Sequence, residues 1–149
     1  MNPAPTTFTE SGFSHEQRLR WKMIALYERQ KGGARHWEVV ILTPEIEKHF
    51  PATEKHPNGR STPAHERYPG AEEWGHKGWT FNGKDNAEAK YEELIAEAEA
   101  LPQQIENAGY RAWEHSRQPD PSEDEQKRLE NVCRQLRGRY VTLVGEEIQ

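Results

Sequence analysis

The residues with the most evident binding chemistry are concentrated in YPGAEEWGHKGWTF, residues 68 to 81. This stretch contains Tyr68, Trp74, His76 and Trp79, together with several turn-forming glycines and a proline. Exposed tryptophan and tyrosine are typical of binding hot spots, whereas buried aromatic rings build cores. Two interpretations therefore stay open: Trp74 and Trp79 cover the end of a small sheet, or one of them is exposed and binds a partner.

A second set of candidate binding residues is basic and lies near the amino terminus: Arg18, Arg20, Lys22 and Arg29. Clustered basic side chains can contact the phosphates of a nucleic acid. The net charge of −5 argues against a protein dedicated to that task. Nucleic-acid binding is therefore the alternative hypothesis rather than the leading one.

Residues that could support catalysis or metal binding lack the spacing that such sites need. His49, His56, His65 and His76 share one region, but they form no pair of ligands four apart on a helix and have no neighbouring cysteine pair. The single cysteine, Cys133, lies at an apolar helical position, which is typical of a buried thiol. We therefore expect no catalytic residues, no metal, no cofactor and no enzymatic activity.

The elements that would position the candidate residues begin with a helix. Residues 1–13 are predicted to be disordered. From Ser14 onward, Leu19, Met23, Leu26 and Tyr27 follow helical spacing, and Gly32-Gly33 would end the helix. This amino-terminal helix would carry the basic set.

A small sheet follows in the prediction. Val39 to Leu42 form a β-branched apolar run, and Gly78 to Phe81 can form a second strand that pairs with residues 37–42. Trp37, Trp79 and Phe81 would then share one face. Residues 44–67, which are rich in proline and lack apolar periodicity, are predicted to form a long loop.

The carboxy-terminal part predicts a helical hairpin formed by residues 86–116 and 122–146. One stripe contains Leu94, Ile95, Leu101, Ile105 and Trp113, and the other contains Leu129, Cys133, Leu136, Tyr140 and Leu143. Pairing within one chain is the simplest arrangement, so a monomer is favoured over a homodimer through these helices. Gly138 leaves open whether residues 139–144 are helix or strand.

The stretches HWEVV, YPGAEEWGHKGWTF and AEAKYEEL resemble a group of small uncharacterised bacterial proteins associated with phage and plasmid genomes. The resemblance covers residues 37–95, and its box reads Tyr-Pro-x-x-Glu-x-Trp-Gly-x-x-Gly-aromatic-Thr; the acidic position corresponds to Glu72 or Glu73. It implies no activity. WGHKG, residues 74–78, is also similar to the core of the WGR domain, a DNA-end-binding module, with His76 in place of the arginine.

Together these patterns predict an α+β protein with a small antiparallel sheet and an aromatic core, an amino-terminal helix and a carboxy-terminal helical hairpin. Residues 14–149 would form a single domain, with the helix and sheet in 14–85 and the hairpin in 86–149. The leading hypothesis is a non-catalytic accessory protein of a phage or other mobile element that binds a protein and modulates a host complex. No membrane span or signal peptide is evident, so a cytoplasmic location is expected.

Overall fold

The computed structural model describes residues 1–148 and is an α+β fold that divides into two compact units. The first unit is Met1–Tyr91, and the second begins at Glu92. The sequence alone predicts a single domain over residues 14–149. No helix within residues 1–148 has the length and apolar character needed to cross a bilayer.

A five-stranded antiparallel sheet forms the centre of the first unit, in the order β1-β2-β3-β4-β9. Its strands are β1 (Thr7–Glu10), β2 (Phe13–Trp21), β3 (Ile24–Lys31), β4 (Ala34–Ile41) and β9 (Gly78–Phe81). The apolar runs at Ile24–Tyr27 and Val39–Leu42 are buried without alternation. Continuous burial means that these central strands are covered on both faces.

The predicted amino-terminal helix is wrong, because residues 14–31 form β2 and β3. The apolar residues from Leu19 to Tyr27 match helical spacing only by coincidence: they come from two strands joined at Lys22-Met23. Ser11 and Gly12 both have positive φ, 51° and 80°, as in a type I′ hairpin turn. Gly32-Gly33, interpreted as a helix end, is the turn between β3 and β4.

Two segments expected to be irregular contain ordered structure. In the amino-terminal segment, Thr7–Glu10 is strand β1 and Ala4 is only 3% exposed. In the region predicted as a loop, β5 (Thr43–Glu45) pairs with β8 (His65–Arg67), and β6 (Lys48–Phe50) pairs with β7 (Arg60–Thr62). These strands are only three residues long, too short to produce a readable alternation pattern.

The predicted pairing around the aromatic box is confirmed. β4 and β9 are antiparallel, with Trp37 opposite Phe81 and Val39 opposite Trp79. Since side chains alternate along a strand, Trp37, Trp79 and Phe81 lie on the same face of the sheet.

The second unit contains the predicted helical hairpin. Helix α1 (Lys84–Ser116) begins in the first unit, and α2 (Glu123–Val144) follows after Ser122, whose hydroxyl accepts from the Glu125 N–H. Both Glu97 carboxylate oxygens accept from Arg139, at 2.6 and 2.8 Å, and thereby tie the helices together. Helix α2 continues through residues 139–144 and ends at Gly145, φ 82°. The strand alternative for that segment is therefore wrong.

The buried stripe on α1 differs from the predicted one. Leu94, Ala98, Leu101, Ile105 and Ala112 are buried. Trp113, which was assigned to the stripe, is 52% exposed. The buried residues from Leu94 to Ala112 are separated by three, four or seven positions, as in a heptad repeat. Trp113 lies one position after the last of them and therefore falls outside the buried stripe.

Candidate functional site

The box that contains the aromatic half of the predicted site residues, and His76, is organised by one carboxylate, Glu73. Its oxygens accept from Arg67 at 2.7 and 3.1 Å, from the Gly70 N–H at 2.8 Å and from Lys77 Nζ at 3.0 Å. The Arg67 hydrogen bonds, supported by Gly70 and Lys77, lower the pKa of Glu73 to about 2. Glu73 is therefore the acidic residue on which the box depends, rather than Glu72, which is exposed.

Trp74 packs over a glycine. A Cβ atom at Gly78 would lie 2.5 Å from the Trp74 ring, so the ring requires glycine at that position. Gly75, at φ 87°, lets the chain turn back so that its N–H donates to the Gly78 carbonyl at 2.8 Å.

Trp74 belongs to the core on its face of the sheet. It packs, partly buried, against a cluster that includes Ala25, Tyr27 and Val40. This contact supports the core interpretation for Trp74.

Trp79 lies on the opposite face, partly exposed, with Lys90 Nζ 4.7 Å from the centre of its ring. His76 is exposed. The structure therefore does not bring Trp74, His76 and Trp79 together.

Tyr68 and Arg29 do converge, on a buried carboxylate that the sequence analysis missed. Glu38 is 1% exposed and accepts from Arg29 Nη1 at 2.7 Å and from the Tyr68 hydroxyl. His15 Nε2 lies 3.4 Å from the same carboxylate. Burial and the neighbouring Glu38 charge raise the pKa of Tyr68, which therefore stays protonated and donates.

A cavity of about 250 Å³ adjoins this cluster and is bounded by Phe13, Pro69 and Trp74. Two buried nitrogens of the cluster, His15 Nδ1 and Arg29 Nε, have no hydrogen-bond partner among the described residues. Phe8 stacks on His15 with ring centroids 4.3 Å apart. The Glu38 oxygens are occupied by protein donors, so the network holds Tyr68 in place rather than presenting a free carboxylate.

The basic candidates do not form a patch. Arg18 pairs with Glu28 at 2.7 Å, and Arg20 pairs with Glu66 at 2.7 Å. Arg29 is held by Glu38, as described above. Lys22 lies in a hairpin turn at φ 51°. These positive charges are largely compensated within the protein.

An exposed aromatic pair on α1 includes Trp113, which was predicted to be part of the buried stripe. Tyr110 and Trp113 are 59% and 52% exposed, with ring centroids 5.7 Å apart. The Arg117 guanidinium lies 4.9 Å from the centre of the Trp113 ring. We call these three residues the Trp113 surface. The three-residue spacing of Tyr110 and Trp113 on one face of α1, with Arg117 directly after the helix end at Ser116, is the signal that could have revealed it.

Comparisons of the chain with protein-family models, curated proteins and solved structures find no significant match. Within residues 1–148, no group of three or more histidine, cysteine, aspartate or glutamate side chains is placed to hold a metal ion.

Proposed function

We propose that this protein is a non-catalytic accessory protein that binds another protein through the Trp113 surface. The observation that carries the proposal is the exposure of Tyr110 and Trp113, 59% and 52%, on adjacent turns of α1. Tryptophan, tyrosine and arginine are the residues most enriched in binding hot spots. Two large rings that remain in water gain free energy when a partner covers them.

The charge arrangement supports a protein partner over a nucleic acid. Arg18, Arg20 and Arg29 each make an ion pair of 2.7 Å with a glutamate of the same protein. Binding to phosphates would have to break these pairs. The net charge of −5 adds a general repulsion. An origin in a phage or other mobile element belongs to the same proposal, and its support is the resemblance over residues 37–95.

The proposal can be tested with a photo-crosslinking amino acid introduced at Trp113 and, as a control, at the exposed Glu99 of the same helix. In lysate of the source cell, we expect one protein to be crosslinked from position 113 and not from position 99. Tyr110→Ala should weaken its capture while leaving the melting temperature unchanged. Equal crosslinking from both positions, or none from position 113, would contradict the proposal. Retarded migration of a labelled oligonucleotide at low salt would favour nucleic-acid binding instead.

A further inference from the structure

Strand β1 is an open edge of the sheet. The Gln17 N–H donates to the Thr6 carbonyl at 2.7 Å, which makes Thr6 and Gln17 a hydrogen-bonded pair. Hydrogen-bonded and non-hydrogen-bonded pairs alternate in an antiparallel ladder. Since Thr7 is opposite Glu16 and Thr9 is opposite Ser14, these are non-hydrogen-bonded pairs. The N–H and C=O groups of Thr7 and Thr9 therefore point away from β2.

Two common blocks to strand addition, a proline or lysine within the strand and a β-bulge, are missing from this edge. β1 contains no proline or lysine, its register against β2 is continuous, and Thr7, Thr9 and Glu10 are exposed. Proteins commonly block free edges with such residues or with bulges. The opposite edge, β9, is partly closed, because the Gly78 carbonyl already accepts from the Gly75 N–H. The two edges thus differ, and β1 is the one that can accept another strand.

A polar groove lies on the sheet beside this edge. Its volume is about 360 Å³, and its walls include Thr7, Thr9, Ser14 and Glu16. Alternate side chains of a strand added to β1 would project on this face of the sheet and reach the groove.

The groove and its rim favour a basic side chain. Glu16 is 52% exposed and pairs only at the surface, with Arg18 at 2.8 Å. Glu10 is also exposed, but alternation along β1 places its side chain on the face opposite to Thr9 and the groove. Glu28, deeper in the groove, is already held by Arg18 and Arg35, each at 2.7 Å. The accessible carboxylate of the groove is therefore that of Glu16.

We propose that β1 binds an extended segment of a partner protein by β-strand addition, with a lysine or arginine side chain of that segment entering the groove and facing Glu16. Hydrogen bonds to the outward backbone groups of Thr7 and Thr9 supply affinity for any extended segment, whatever its sequence. The groove supplies the preference for a particular side chain. This site does not depend on the Trp113 surface, which lies on the other unit. Either can therefore fail without the other.

The test uses a fluorescein-labelled Thr-Lys-Thr-Lys-Thr-Lys-Thr peptide, titrated against the protein by fluorescence anisotropy. A Thr-Glu peptide of the same length is the matched control and should bind at least about tenfold more weakly. The protein variant Thr9→Pro removes an outward N–H without breaking a bond to β2, and proline is tolerated at such edge positions. This variant should keep the melting temperature of the unaltered protein, and its affinity for the lysine peptide should be at least about tenfold lower.

A second measurement keeps the test decisive if Thr9→Pro does not fold. Two lysine peptides, N-methylated either at every threonine or at every lysine amide, are titrated against the unaltered protein. Only alternate amides of an added strand face β1, so one peptide should bind and the other should not. The proposal would be overturned if the lysine peptide showed no saturable binding up to about 1 mM. It would also be overturned if both methylated peptides bound equally well. A dimer that Thr9→Pro converts to a folded monomer would identify a second copy as the occupant and would also overturn it.

Discussion

Replacing Glu73 with glutamine should remove a specific part of the acid sensitivity of the first unit. The pKa of Glu73 is lowered from 4.5 to about 2, chiefly by Arg67. A depressed folded-state pKa contributes stability that is present above the unfolded-state pKa and is lost as the pH falls toward the folded-state value. The window is therefore from 4.5 down to about 2. At about 1.36 kcal/mol per unit, the full contribution is about 3 kcal/mol, of which roughly 2 kcal/mol is lost by about pH 3.

The Glu73 side chain is only 17% exposed, so most of this contribution should survive solvent screening. Urea unfolding, followed by tryptophan fluorescence near pH 6 and pH 3, measures it. The difference in free energy of unfolding between the unaltered protein and Glu73→Gln should shrink by roughly 2 kcal/mol between the two pH values. Other carboxylates also titrate, but they do so in both proteins, so their contributions cancel in the difference between the two free energies of unfolding. Glu72→Gln is the matched control and should keep the acid sensitivity of the unaltered protein. A difference that does not change with pH would refute the role assigned to Glu73.

Three further predictions concern packing. Gly78→Ala should cost about 1–3 kcal/mol in urea unfolding, because its Cβ would lie 2.5 Å from the Trp74 ring, whereas Gly33→Ala, with open space around it, should change little. Trp74→Ala should cost about 3 kcal/mol or more, and Trp113→Ala should stay within about 0.5 kcal/mol; equal losses would contradict the roles assigned to the two tryptophans. Leu136→Asp should unfold the helical hairpin at every protein concentration by circular dichroism, and light scattering that shows a dimer converted to a folded monomer would contradict pairing within one chain.

The parts of the fold that the sequence predicted are those in which one short stretch carries enough information. Val39 to Ile41, at the end of β4, are apolar and β-branched, which favours a buried strand, and the spacing of Trp79 and Phe81 places them on one face. The capping residue Ser122 and the heptad steps along α1 and α2 define the hairpin. In each case, local propensity and tertiary packing favour the same structure.

The amino-terminal prediction failed because two strands joined by a short turn can imitate a helix. Leu19 and Met23 are four apart, as on a helix, but they belong to β2 and to the turn after it. The decisive signals were the pairs Ser11-Gly12 and Gly32-Gly33, which occupy two-residue hairpin turns. These pairs were assigned to a disordered segment and to a helix end. Each turn contains a glycine with positive φ, Gly12 at 80° and Gly32 at 60°, a conformation that is typical of a hairpin turn.

The candidate site could be predicted only in part, because the partner of a charged side chain depends on which residue lies opposite it in the sheet. Arg29 appeared to be a free basic residue along the chain, yet Tyr27 of the same strand is opposite Glu38 on β4. This register brings the Arg29 guanidinium within 2.7 Å of a carboxylate that is 1% exposed. A buried carboxylate requires such a partner, because desolvation of an unpaired charge would cost several kcal/mol. Arg18 and Arg29 are thus counter-charges of two buried glutamates, Glu28 and Glu38. Trp113, predicted to lie in the buried stripe of α1, is exposed instead, beside the exposed ring of Tyr110.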